Sequence, residues 1–262
     1  MDNKTRKFIK ELLLKPRLRK ESGLYVVDGP KMCSELSAEE TETVYVTEEF
    51  LNSPHASAAD RLLREKGYEI VAGSDMKQIS DTVTPQGIMA VVKQKRIRGF
   101  DDFLEQSSGK LPLIVMLETL QDPGNLGTII RASEAAGVTG VIMNSTCVDI
   151  YSPKVVRSTM GAILRVPFIT VDDLCGAAER LRSRNISVFA AHLKGAVDYY
   201  KADFSRPSAF MIGNESKGLT DALAEKADCR IKIPMKGSVE SLNAAMAAAI
   251  IMFEASRQRA QD

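Results

Sequence analysis

The chain has 262 residues, enough for two domains of ordinary size, and its 44% hydrophobic and 26% charged content is that of a globular protein. Its longest uninterrupted apolar run, Ala244–Phe253, is too short to cross a membrane, and Met1-Asp2-Asn3-Lys4 lacks the apolar stretch of a signal peptide, so a cytoplasmic location is expected. The net charge of +1 hides a basic arm: residues 1–20 carry eight Lys/Arg against Asp2 and Glu11, and a second cluster comprises Lys93, Lys95, Arg96 and Arg98. Such clusters either attract a polyanion through phosphate contacts or form a solvated helix face and a linker, and charge alone does not choose between them.

In chain order, Lys4–Leu14 reads as a basic amphipathic helix and Gly23–Val27 as a strand ending at Asp28-Gly29-Pro30. Lys31–Leu36 is predicted helical, Thr43–Thr47 extended, and Ala56–Lys66 helical up to a stop at Gly67. Glu69–Val71 and Ile88–Val92 complete a small α/β unit. Gly99–Lys110, with Ser107-Ser108-Gly109 and alternating charges, is the expected linker. It divides the chain into a domain over 1–99, a linker over 100–110 and a second domain over 111–262.

From Leu111 the pattern becomes β-α alternation. Leu113–Leu117 is a strongly apolar strand, followed by a helix over Asn125–Ala136 stopped by Gly137. Val141–Met143, Ile169–Val171, Val188–Ala191, Ala209–Ile212 and Cys229–Ile233 are short, nearly continuous apolar strands. Such runs indicate a parallel sheet with helices on both faces, the α/β class. In the last predicted helix, Leu242–Phe253, only Asn243 is polar, so burial on all sides is expected, and its alanines permit close packing against another helix or subunit.

Three blocks at the carboxyl ends of strands carry the chemistry, the place where open α/β sheets bind ligands. They are Leu117–Gly127 running on through Arg131, then Ile212-Gly213-Asn214-Glu215-Ser216-Lys217-Gly218-Leu219, and Ile233-Pro234-Met235 through Ser241-Leu242-Asn243. None fits G-x-G-x-x-G or the G-x-x-x-x-G-K-[ST] loop, so a dinucleotide oxidoreductase or NTPase is not expected. Read singly, each block has an ordinary explanation. Asn125 caps a helix, and Glu215 satisfies loop amides. Ser238 or Ser241 caps the last helix, and Asn243 is a satisfied polar residue at its start. Arg131 is either an ion-pair partner of Glu134 or Glu215, or a ligand for an oxyanion or phosphate. With only His55 and His192, a histidine-rich metal site is excluded, and four scattered cysteines (Cys33, Cys147, Cys175, Cys229) read as reduced packing residues.

Taken together, the order and spacing of Asn125, Gly127, Arg131 and Ala132, of Gly213-Asn214-Glu215-x-x-Gly218, and of Ile233-Pro234 with Ser241-Leu242-Asn243 resemble the SpoU (TrmH-type) branch of the SPOUT RNA methyltransferases. The resemblance covers Leu111 onward closely. It covers Tyr25–Lys31 more loosely, where the chain is similar to the L30-like RNA-binding domain of many members, with Asp28 where the family usually has Glu. The resemblance implies a trefoil-knotted 2′-O-ribose methyltransferase that uses S-adenosylmethionine, needs no metal, and acts as a homodimer through the knotted domain. By motif position, Gly213, Ile233, Leu242 and Leu193 match the family's cofactor contacts. Arg131 matches the residue assigned to the ribose hydroxyl, as a base or as a stabiliser of the developing alkoxide, with Asn125, Glu215, Ser241 and Asn243 as its supports. An N-terminal domain of about a hundred residues resembles the ribosomal-RNA members of the family more than the shorter tRNA ones, so the resemblance implies large-subunit rRNA as substrate. A non-catalytic RNA-binding protein on the same fold and a small-molecule or protein methyltransferase are the other readings. Retention of all five polar residues argues against the first, and the basic arm against the second.

Overall fold

The computed structural model describes residues 1–95, 97–106, 109–193 and 197–260. The chain forms two compact units, Met1–Arg96 with Asp149–Leu164, and Ile97–Val148 with Arg165–Asp262. Arg96 of the second basic cluster and Ser107-Ser108 of the expected linker lie outside the described residues.

The first unit contains α1 (Asn3–Leu14), α2 (Pro16–Ser22), β1 (Leu24–Asp28), α3 (Pro30–Cys33), β2 (Thr41–Val46), α4 (Glu48–Leu51), α5 (Ala56–Lys66), β3 (Glu69–Ile70), α6 (Gly73–Ile79) and β4 (Ile88–Lys93). Its sheet runs β1-β4-β2-β3, antiparallel except for the β2–β3 pair. The basic arm is not a free polycation. Ile9 and Leu12 of α1 are fully buried in the core with Val26, Met76 and Met89. Four of the eight cations are neutralised: Arg6 pairs with Asp75, Lys15 with Glu11, Arg17 with Glu21 and Arg19 with Asp149. The Arg19 guanidinium is buried, sits 2.7 Å from Asp149 and donates to the carbonyls of Leu12 and Leu13, so it is fully engaged inside the unit.

That ion pair explains why Asp149–Leu164, expected in the second domain, belongs to the first unit. Tyr151 stacks on Tyr25 with ring centroids 4.7 Å apart, and its hydroxyl donates to the Lys95 carbonyl. Within this segment α9 (Pro153–Ser158) carries Arg157, paired with Asp81 at 2.7 Å.

The second unit holds α7 (Phe100–Glu105), β5 (Leu113–Leu117), α8 (Pro123–Ala135), β6 (Gly140–Asn144), β7 (Phe168–Val171), α10 (Leu174–Arg182), β8 (Ser187–Ala191), β9 (Val197–Asp198), β10 (Ser208–Ile212), α11 (Asp221–Ala224), β11 (Cys229–Lys232) and α12 (Ala244–Arg259). Its seven strands, ordered β7-β6-β5-β10-β8-β11-β9, are all parallel, as expected for the α/β class. The expected linker is corrected in its first half. Phe100–Glu105 is a helix, with Phe100 and Phe103 buried in this unit's core and Phe103 filling the space where Gly140 lacks a side chain. The last helix is also corrected. It starts at Ala244, with Asn243 as its cap, and only one side (Ala244, Ala245, Ala248, Ile251, Met252, Ala255) is buried. Ser133 of α8 donates to the Met252 sulfur at 3.4 Å on that side. Met246 and Phe253 stand 58% and 49% exposed on the other, so the helix is not buried all round within one chain. Among the described residues no helix is long and apolar enough to cross a membrane.

Candidate active site

Parallel strands β5 and β10 are neighbours in register, with Leu117 beside Ile212, so the first two motif loops leave the sheet side by side. A Cβ at Gly213 would collide with the backbone of Gly218 and Leu219, which is why glycine alone lets the second loop fold back on itself. Asn214 and Gly218 then exchange both backbone hydrogen bonds, at 3.0 and 2.9 Å, and the Asn214 side-chain oxygen accepts from the amides of Ser216 and Lys217. The result is a closed loop presenting Glu215 toward the first motif.

Glu215 accepts from the backbone N–H groups of Gln121 (3.2 Å) and Asp122 (3.0 Å) and from the Asn125 side-chain amide (3.1 Å). Partial burial pushes its carboxyl up. The amides of Asp122 and Glu215, the Asn125 side chain and the Gln121 amide outweigh that and hold it below the ordinary glutamate range. Asn125 in turn accepts from the Asn243 side-chain amide at 2.8 Å, while the Asn243 oxygen caps α12 by accepting from Ala245 and Met246. One chain of hydrogen bonds, Glu215–Asn125–Asn243, therefore joins all three motifs. The cap of α8 is Asp122, which accepts from the Asn125 amide at 2.7 Å, and not Asn125 itself; Asn243, and not Ser238 or Ser241, caps α12. Freed from capping, the Asn125 side chain bridges two motifs.

A second staple lies beneath the first. Glu118, 9% exposed at the end of β5, accepts from the Thr220 backbone amide (2.8 Å) and hydroxyl (2.7 Å). Sequence reasoning passed over it, although a carboxylate at the end of an apolar strand needs a hydrogen-bonding partner of some kind.

Beside these loops lies a cavity of about 760 Å³, within the range of small-molecule sites. Leu193, Gly213, Ile233 and Leu242, the four expected cofactor residues, all line it, as do Glu215 and Ser241. His192, Thr220, Asp221 and Glu240 also line it, and none of these stood out in the sequence. Apolar walls from Ile212, Ile231 and Ile251 with a polar rim suit a ligand that has both a flat apolar part and charged ends. Arg131 is not among the lining residues. It is exposed on the outward stripe of α8 with Thr128 and Ala135, and neither expected ion pair forms: Glu134 pairs with Arg165, and Glu215 is committed to loop amides. Among the described residues no group of three His, Cys, Asp or Glu is placed to hold a metal ion.

The SpoU rRNA methylase family model matches residues 112–253, and an MRM3-like substrate-binding domain matches residues 3–90. An uncharacterized tRNA/rRNA methyltransferase of Synechocystis sp. is 34% identical over 202 residues, 77% of this chain and 72% of that protein. The SpoU methyltransferase AviRb from Streptomyces viridochromogenes, also crystallised with AdoMet, has 29% identity and a TM-score of 0.85 over 99% of this chain and 98% of its own. An AdoMet-bound rRNA methyltransferase from Sinorhizobium meliloti has 29% identity and a TM-score of 0.83 over 97% and 95%. The TrmH/SpoU tRNA-modifying enzyme of A. aeolicus has 25% identity and a TM-score of 0.53 over 62% of this chain and 84% of its own. With its three motifs joined around one cavity and the family model spanning more than half its length, the chain belongs to the SpoU family of RNA methyltransferases.

Proposed function

We propose that this chain methylates the 2′-hydroxyl of a ribose in large-subunit rRNA, with S-adenosylmethionine as donor. The observation that carries the reading is the Glu215–Asn125–Asn243 chain, which meets the 760 Å³ cavity at Glu215 and fixes three polar groups where an RNA sugar would meet a bound donor. The cavity's mixture of apolar wall and polar rim fits S-adenosylmethionine, with Gly213, Ile233, Leu242 and Leu193 as the residues that would hold it. When bound, the donor supplies a sulfonium methyl group open to in-line displacement by the hydroxyl oxygen. Asn125 and Asn243 orient the sugar, and Glu215 keeps Asn125 aimed. Arg131 does not line this chain's own cavity; exposed and free of ion pairing among the described residues, it is assigned to an approaching RNA, where its guanidinium would stabilise the alkoxide that develops as the hydroxyl proton leaves to water.

Ribosomal RNA is favoured over tRNA because the rRNA methyltransferase from S. meliloti matches nearly the whole chain, whereas the tRNA-modifying enzyme matches 62% of it. A homodimer is part of the same reading. Met246 and Phe253 form an apolar stripe on α12 beside exposed Arg131-bearing α8, and a second copy of the chain would cover that stripe. The test is Arg131→Ala. Methyl transfer to rRNA should fall by at least about a hundredfold, the scale of losing one charge-stabilising group, while S-adenosylmethionine binding by calorimetry stays within about twofold. Near-normal turnover would remove Arg131 from the mechanism.

A further inference from the structure

The turn between β5 and α8 contains a backbone outlier. Thr119 has φ +53°, a left-handed conformation that a β-branched residue adopts only under constraint. All of its polar groups are engaged. Its N–H donates to the Asn144 side-chain oxygen (2.8 Å), its hydroxyl accepts from the Asn144 side-chain nitrogen (3.1 Å), and its carbonyl accepts from the Asn214 side chain (2.8 Å). The Thr146 hydroxyl lies 2.9 Å from the Thr119 hydroxyl. Asn144 thus grips Thr119 at two atoms from the end of the neighbouring strand β6, and its own oxygen also accepts from the Cys147 thiol at 3.2 Å. The left-handed penalty, roughly a 5- to 30-fold bias in population, is overcome by these contacts.

The geometry has a consequence two residues later. The amides of Gln121 and Asp122, two and three residues past this left-handed turn, both donate to Glu215. We propose that Asn144 is a positioning residue of the methyl-transfer site, acting through Thr119 to hold the Gln121–Asn125 turn against Glu215. The role rests on the methyltransferase reading given above. Strain of this kind persists where the surroundings over-determine it, and here the surroundings are two asparagines from two different strand ends. Asn144 lies outside the three motif blocks, does not line the cavity and bonds to Thr119 and Cys147, not to Asn125. Its effect would therefore be on alignment and not on donor affinity.

The experiment compares the full-length wild type, Asn144→Ala, Thr119→Gly and the double variant. Glycine adopts a left-handed φ without penalty, so it should make the Asn144 grip dispensable. Asn144→Ala is expected to lower kcat for transfer from labelled S-adenosylmethionine to deproteinised large-subunit rRNA by about tenfold or more, with its KM for the donor within about twofold. Hydrogen exchange of the Gln121 and Asp122 amides should accelerate about tenfold in the same variant. In the double variant both quantities should return to within about threefold of Thr119→Gly alone. An unchanged kcat in Asn144→Ala, or a loss that Thr119→Gly does not rescue, overturns the proposal. If the wild type methylates no RNA, the functional reading fails and the exchange arm alone decides: unaltered exchange at Gln121 and Asp122 overturns the positioning role. Should Asn144→Ala not fold, Asn144→Leu, which fills similar volume without hydrogen bonds, is read in the same way.

Discussion

Glu215→Ala removes the acceptor shared by the Gln121 amide, the Asp122 amide and the Asn125 side chain. A hydrogen bond to a charged acceptor contributes about 1.5–3 kcal/mol. Both backbone amides can reach water once the carboxylate is gone, so the lower end applies. Loss of alignment worth about 1.5–2 kcal/mol corresponds to roughly a 10- to 30-fold fall in turnover. Steady-state methyl transfer with saturating donor measures it, alongside urea unfolding. Glu215→Gln adds a pH test. The Glu215 carboxyl lies below its ordinary value of 4.5 in the folded protein, so its stabilising contribution is complete above that value and lost as pH falls through the lowered one. The stability gap between wild type and Glu215→Gln should therefore be constant near neutrality and close only under acid conditions below pH 4.5. A gap that instead opened on acidification, or turnover of Glu215→Ala within twofold of wild type, would refute the role of Glu215 as the joint between the motifs.

Glu118→Ala removes the acceptor of the partly buried Thr220 amide and is expected to destabilise the protein by about 1–2 kcal/mol in urea unfolding. A double-mutant cycle with Thr220→Val should show coupling of about 1 kcal/mol or more, and strict additivity would separate the two residues. Met246→Glu with Phe253→Glu places charges on the exposed stripe of α12 and should convert a dimer to a monomer by sedimentation at micromolar concentration. A wild-type monomer would contradict the proposed pairing.

The sheet was legible because buried parallel strands read as apolar runs. Leu113–Leu117 was located to the residue, and so was α5 with its stop at Gly67, where the glycine φ is +78°. What escaped the sequence depends on contacts far apart in the chain. Phe100–Glu105 looked like a charged linker, since nothing local reveals that Phe103 fills the space above Gly140. Charge alone left the role of the basic arm open, since the partners of Arg6 and Arg19 are the distant Asp75 and Asp149. The motif residues were recognised by spacing, but the hydrogen bonds that join them were not. Asn125 bridges Glu215 and Asn243 because Asp122 has taken over the helix cap, and only side-chain directions reveal that exchange. Asn144 and Glu118 carried no motif signal, because each is a common residue type at the end of an apolar strand.

The central claim, ribose methylation of ribosomal RNA, is tested most directly by mapping 2′-O-methyl groups in rRNA and tRNA from a strain lacking this gene, with and without complementation. One ribose in large-subunit rRNA is expected to lose its methyl group, to regain it with the wild-type chain and not to regain it with Arg131→Ala. Loss of a tRNA ribose methyl group, or of a base methylation with every ribose unchanged, would contradict it.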